Sequence, residues 1–302
     1  MNLKVILSGI AMSTIFGLSF LFTKNALDYV PVYTFLSYRF GMATLVMLLL
    51  ALLGVIKLSK KPYWRLWKVV LFEPILYFIF ETNGLKYTTS SEAGMLIAMI
   101  PIFVVLLSPI FLKERIRWYQ IVFSVLSFFG VFLIVGHGEK FSGTFLGEIL
   151  ILGAAFSSAF YNMFSRKYST EFTPAEITFF MMFSGFLFFT VVSLISGQFT
   201  ISFDTNVIIS VLYLGVLSST VAFFLVNFML SKVSPTVSSL FSNLTTVISV
   251  LAGSLFRHER INFIQIVGML LILISLVSNS YLKQRDTSMR TSVSRGGDIS
   301  DG

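Results

Sequence analysis

The sequence predicts an all-α integral membrane protein with ten transmembrane helices, arranged as two inverted five-helix repeats. Three observations lead there. Of the 302 residues, 56% are hydrophobic and only 12% charged, whereas a soluble domain carries about a quarter charged residues on its surface. The charges collect in short gaps between apolar runs of roughly 17–25 residues, each long enough to cross about 30 Å of hydrocarbon as a helix. The second half of the chain also repeats a pattern of the first.

The runs fall at 4–23, 32–53, 67–85, 91–112, 118–136, 145–165, 175–196, 207–229, 236–256 and 262–281. They are read as helices because backbone polar groups in hydrocarbon are satisfied only within a helix or a closed barrel. A barrel needs alternating strands of about ten residues, and a stretch such as residues 45–53 does not alternate. The first run has one Lys at its edge and no small-x-small site, so it reads as a span and not a cleaved signal. Residues 283–302 are rich in Ser, Gly and charge and read as a disordered tail.

With the N-terminus inside, the basic groups at 57–68, 113–117, 166–167 and 283–295 all fall on the cytoplasmic side. The outside receives only Lys24, Lys86, Lys140, Arg257 and Arg260. This bias supports an even number of spans with both termini cytoplasmic. It also accounts for the net charge of +8 without a nucleic-acid partner. The chain has no cysteine, which excludes disulfides, thiolate metal sites and Cys nucleophiles. It has no Walker A sequence, no metal-ligand spacing around His137 or His258 and no nucleophile elbow, so neither cofactor, metal nor enzyme chemistry is expected.

Shifted by 145 residues, 111–122 (FLKERIRWYQIV) lies on 256–267 (FRHERINFIQIV) with seven of twelve positions identical. Nearby shifts place Pro31 on Pro174, Gly54 on Gly197 and Lys24 on Arg166. The repeats are therefore 1–138 and 143–282. Five spans is an odd number, so the second repeat enters the membrane inverted, an architecture that lets two halves rock about a midplane site. Duplication without alternating access is the plainer alternative.

The paired turns Lys113-Glu114-Arg115 and His258-Glu259-Arg260, Phe16-Gly17 ahead of Lys24, Arg39, and Leu85-Lys86-Tyr87-Thr88 resemble the drug/metabolite transporter superfamily, EamA type. The likeness covers about 280 residues, with Phe16 and Ser158 standing where the family often has Trp. It implies a central cavity lined by helices 1–4 and 6–9, with helices 5 and 10 peripheral. Those two supply lipid-facing or self-associating surfaces, which leaves a homodimer open.

Ionisable groups inside a membrane cost about 2.5–3.5 kcal/mol each on insertion scales and mark candidate sites. Glu73, Tyr77 and Glu81 are spaced by four and share a helix stripe. Arg39 lies within reach of Glu81, so an ion pair orienting two helices is one role for them. Glu73, deeper and without an obvious basic partner, is expected to exchange a proton or attract a cationic group; a protonated acid bonded to a neighbouring helix is the alternative. Glu92 starts the fourth run, where an acid is favoured at a helix N-terminus in any case. The second half offers amides and hydroxyls instead, with Asn162 and Asn243 the best candidates and helix-joining the plainer role. Pro74, Pro101 and Pro109 are expected to kink the third and fourth helices.

The reading that combines these is a secondary transporter in a bacterial cytoplasmic membrane. It would export small amino-acid-like or amphipathic metabolites by alternating access, with proton coupling through Glu73. A passive channel on the same fold is the alternative, and a lipid-modifying membrane enzyme is less consistent with acids at different depths.

Overall fold

A computed structural model describes residues 2–88, 90–113, 116–135, 144–257 and 261–297. The side chains at 20, 90–92, 249, 252–257 and 284–297 lie outside that description. The Glu-Arg turns at 114–115 and 258–260, together with His137 and Lys140, fall outside the described residues. The described elements are α1 (Leu3–Leu27), α2 (Val32–Leu52), a 3-10 turn (Tyr63–Leu66), α3 (Trp67–Val70), a wide-wound π segment (Leu71–Leu76) and α4 (Tyr77–Gly84). They continue as α5 (Ser90–Ile97), α6 (Ile100–Leu112), α7 (Trp118–Val135), α8 (Phe145–Tyr168) and α9 (Pro174–Ile195). Last come α10 (Thr205–Leu212), a second π segment (Tyr213–Ala222), α11 (Phe223–Lys232), α12 (Pro235–Arg257) and α13 (Phe263–Gly297). Among the described residues, eight helical stretches are long and apolar enough to cross a membrane, counting Ala93–Leu112 and Thr205–Lys232 as single stretches. The fold is an all-α, multi-span membrane fold.

The third run is not one continuous helix. Pro74 has no N–H to donate and disfavours the helical conformation of the residue before it. Glu73 accordingly sits at φ −148°, ψ 117°, and the run divides into α3, the π segment and α4. The carbonyl of Phe72 at this break accepts from the backbone N–H of Tyr77 and also a 2.7 Å hydrogen bond from Ser157 Oγ of α8. Pro101 falls in the first turn of α6, just after the interruption between α5 and α6, while Pro109 sits inside α6 without dividing it. The backbone of α13 runs on as helix to Gly297. From Met269 to Arg295 no Pro or Gly occurs to stop it.

Helix ends are signalled locally. Thr173 and Glu176 form a reciprocal capping box, with Pro174 in the first turn of α9. Gly54 (φ 73°) and Gly197 (φ 66°) terminate α2 and α9 in the left-handed region open to glycine. The closing bonds match: Val55 N donates to Leu50 O and Gln198 N to Ser193 O, each spanning five residues.

Along α2 from Thr34 through Ser37 to Gly41, the partners on α9 run backwards from Ser193 through Thr190 to Phe186. The two helices are therefore antiparallel. α1 packs on α12 and on the second π segment, and α8 packs on α6 and on α4 with the first π segment. α7 and α13 meet at Gly130 and Gly268, where a Cβ on either would lie 2.7 or 2.5 Å from the other's carbonyl oxygen. Small residues permit such close approach in a membrane. These two helices are therefore each other's partner within the chain, and their outer faces (Phe129, Phe132, Leu270) stay exposed.

The loop after α2 is tied to the start of α9. The Glu176 carboxylate, with no exposure, accepts from Lys61 Nζ (2.7 Å), Ser59 N (3.1 Å) and Thr173 N (2.8 Å). Tyr63 donates to Ser59 O and lies 3.4 Å from Glu176 Oε1. Burial and the Glu176 carboxylate push its hydroxyl up to about 12, so it remains a donor. The neighbouring Arg65–Glu171 pair is 2.6 Å long but nearly half exposed at both ends. Glu176→Ala removes a buried carboxylate that gathers three charge-assisted hydrogen bonds and should cost on the order of 2–4 kcal/mol. Arg65→Ala should cost less than about 1 kcal/mol. Melting midpoints of the two variants in detergent check this, and equal losses would contradict it.

Candidate functional site

Five of the seven sequence candidates, Arg39, Glu73, Tyr77, Glu81 and Asn162, line a single cavity between α1, α2, α4, α5, α6, α8, α11, α12 and the π segments. It has about 100 Å³ of room for water-molecule centres, which is several waters' worth or space for a small solute. Apolar groups such as Phe16, Phe78 and Phe223 form most of the remaining wall. Glu73, Tyr77 and Glu81 reach the cavity even though the break at Glu73 removes the regular stripe expected from their spacing.

Each charged group is held from elsewhere in the fold. Arg39, 3% exposed, donates from Nε to Ser219 Oγ (2.9 Å) and from Nη2 to Ser218 Oγ (3.0 Å). Its Cζ lies 4.5 Å from the centroid of the Phe78 ring, a favourable place for a cation. Nη1 makes no hydrogen bond among the described residues. Both serines lie in the π segment, where Thr220 Oγ1 also donates to Gly215 O. Ser19 Oγ of α1 also donates to Ser218 Oγ (3.0 Å), joining a third element to the cluster.

Glu73, 4% exposed, accepts at Oε2 from Ser158 Oγ of α8 (3.1 Å). Glu81 accepts from Thr82 Oγ1 (2.8 Å). The Arg39–Glu81 ion pair allowed by the sequence is not formed: among the described residues the ion pairs are Lys61–Glu176 and Arg65–Glu171. Hydroxyls and ring faces hold the guanidinium instead, so the cavity contains a cation and two carboxyls that do not pair within 4 Å.

Asn162 donates from Nδ2 to Ser158 O one turn back (2.8 Å), and its Oδ1 makes no hydrogen bond among the described residues. Asn243 does not border the cavity. Its Nδ2 donates to Ser127 Oγ of α7 (2.9 Å), on a different face of α12. The Glu92 side chain lies outside the described residues. Ser158, Ser218 and Ser219 hold these charged groups, and none of the three is among the candidate residues chosen from the sequence. A hydroxyl on an apolar helix looks the same whether it joins helices or holds a charge, so local pattern carries no signal that distinguishes them. Among the described residues, no three His, Asp or Glu side chains converge in a way that could hold a metal ion.

A separate buried network serves the scaffold. Asn227, with no exposure, accepts from Tyr161 OH (3.0 Å) and Ser165 Oγ (2.6 Å) and donates to Thr178 Oγ1 (2.9 Å). It thereby ties α8, α9 and α11 together.

Comparison with known proteins adds identity to this geometry. The family model described as the EamA-like transporter family matches residues 3–136 and again 145–281. The chain is 35% identical over 293 residues to the uncharacterized transporter YcxC of Bacillus subtilis (strain 168), covering 93% of this chain and 94% of that one. It is 27% identical over 269 residues to an uncharacterized transporter of Archaeoglobus fulgidus, covering 87% and 94%. A solved crystal structure superposes with a TM-score of 0.80 at 17% identity, covering 94% of this chain and 99% of that one. At that identity the likeness speaks for the fold alone.

The hydrogen bonding separates scaffold from cavity. Asn227→Ala leaves the buried Tyr161 and Ser165 hydroxyls without their partner, while Thr178 keeps its bond to Pro174 O, and should cost about 2–4 kcal/mol, whereas Asn162→Ala loses one local bond and should cost less than about 1 kcal/mol. Tryptophan-fluorescence melting of both variants is the check, and a larger loss at Asn162 would reverse the assignment.

Proposed function

Since the chain belongs to the EamA-like transporter family, a family of small-molecule transporters and not of enzymes, we propose that it is a secondary exporter of small metabolites. The reading places it in a bacterial cytoplasmic membrane with both termini cytoplasmic, two inverted five-helix repeats alternating about the cavity. The observation that carries this is the crossing of charges between the halves. Arg39 of the first half is held by Ser218 and Ser219 of the second, and Glu73 of the first by Ser158 of the second. A shift of one half against the other would change how both charges are held, which is what a site exposed to each side in turn requires.

Further support for the inverted repeat comes from matched details. α2 and α9 pack antiparallel, Gly54 and Gly197 close their helices with the same bond, and the family model matches the chain twice. The chemistry of the cavity suits an amphipathic solute bearing both charges. The free Nη1 of Arg39 can meet an anionic group, Glu73 or Glu81 a cationic one, and the phenyl rings an apolar body. Glu73 serves as the proton carrier in this scheme, because its carboxyl has one hydroxyl partner and no cation within ion-pair distance.

Proteoliposomes loaded with candidate amino acids and amines should show saturable, counterflow-competent flux that responds several-fold to an imposed pH gradient. Glu73→Gln should retain counterflow but lose that response. An unchanged pH response would remove Glu73 from coupling. A wild-type protein that never accumulates solute against its gradient would be a passive facilitator.

A further inference from the structure

Away from the cavity, three helices each turn a polar stripe inward. On α7 it is Gln120, Ser124 and Ser127; on α12, Thr236, Ser239 and Asn243; on α13, Ser275 and Asn279. All are 1% exposed or less, and within each stripe the spacing of three or four residues puts them on one helix face. The three helices pack on one another.

The register brings the stripes to one level. Asn243 bonds Ser127 at 2.9 Å, and Thr236 and Gln120 each lie seven residues earlier on their helices. Three membrane crossings separate α7 from α12, so the two run the same way, and α13 runs opposite to both. Counted from the Gly130–Gly268 contact, Gln120 lies about 15 Å toward the start of α7 and Asn279 about 16 Å toward the end of α13. They therefore lie at the same depth on the two helices.

Six polar atoms of this cluster have no hydrogen-bond partner among the described residues: Gln120 Nε2, Ser124 Oγ, Thr236 Oγ1, Asn243 Oδ1, and both Nδ2 and Oδ1 of Asn279. Leaving so many buried groups dry would offset a large part of the marginal stability of a fold. The group types are neutral donors and acceptors in mixed supply. They lack the carboxylates a cation needs and the guanidinium or ammonium an anion needs, but they suit water, which both donates and accepts.

We propose that α7, α12 and α13 enclose a second site, distinct from the solute cavity, that binds ordered water. It lies behind α12, whose other face supplies Ser238, Ser242 and Thr245 to the cavity wall. α12 thus divides two polar spaces. Hydration on its rear face lets it exchange hydrogen bonds with water instead of breaking them outright. The site does not depend on which solute, if any, the cavity carries.

The chain has no cysteine, so one introduced thiol gives an isolated S–H infrared band. In detergent-purified S124C, with T236C as a second reporter should S124C fail to fold, the S–H band should shift to S–D within minutes of transfer to D₂O. It should also lie at a lower frequency than in V131C, whose thiol would sit on the same helix at a buried apolar position. Exchange at least tenfold faster than in V131C is the expected result; exchange no faster than in V131C overturns the proposal. Asn279→Leu gives an independent reading. A hydrated site loses water and strands its neighbours, so the melting midpoint falls; a dry site is relieved of two orphan atoms, and a rise would also overturn the proposal.

Discussion

Hydrocarbon offers no replacement for a lost hydrogen bond, so every polar atom carried into the membrane must be answered by another part of the protein. Most of this structure follows from that demand. The backbone meets it by forming helices. Where Pro74 removes a donor and Glu73 turns out of the helix, the neighbouring α8 completes the account: Ser157 donates to the carbonyl of Phe72 and Ser158 to the carboxyl of Glu73. Two successive hydroxyls on a continuous helix thus stabilise a break in another.

Arg39 is treated in the same way from the opposite direction. Its helix is regular, and the irregularity lies in the partner, where the π segment Tyr213–Ala222 presents Ser218 and Ser219 together. Irregular winding in both halves is therefore found where a charge has to be held, consistent with the tendency of π segments to occur at functional sites. A guanidinium bonded to two hydroxyls keeps its charge available to a ligand, whereas one in a close carboxylate pair would have it largely neutralised.

Elsewhere the same demand is met by closed networks and close packing. Asn227 satisfies hydroxyls from two neighbouring helices, and Glu176 gathers the donors of a loop and a helix start. Gly130 and Gly268 let two backbones touch where no hydrophobic force separates helix–helix from helix–lipid contact. These sites have no spare valence and hold the frame. The cavity groups, by contrast, each keep an atom free of hydrogen bonds among the described residues: Nη1 of Arg39, one oxygen of Glu73, Oδ1 of Asn162. That difference distinguishes a binding surface from scaffold in a wall made of the same residue types.

Read alone, the sequence determined that the chain is a helical, multi-span membrane protein, that Pro31 and Gly54 recur as Pro174 and Gly197 in its second half, and that Arg39, Glu73, Tyr77 and Glu81 are the groups needing explanation. Length and hydropathy are local properties, and a buried charge is conspicuous wherever it lies. Only the tertiary structure decided what answers each charge. The sequence allowed Arg39 to pair with Glu81, yet serines nearly 180 positions away hold it. It ranked Asn243 with Asn162, yet the two face different neighbours. A short hydroxyl or amide has no preferred partner until two helices are brought face to face, and the rotation of each helix about its axis is set by packing that no local pattern encodes.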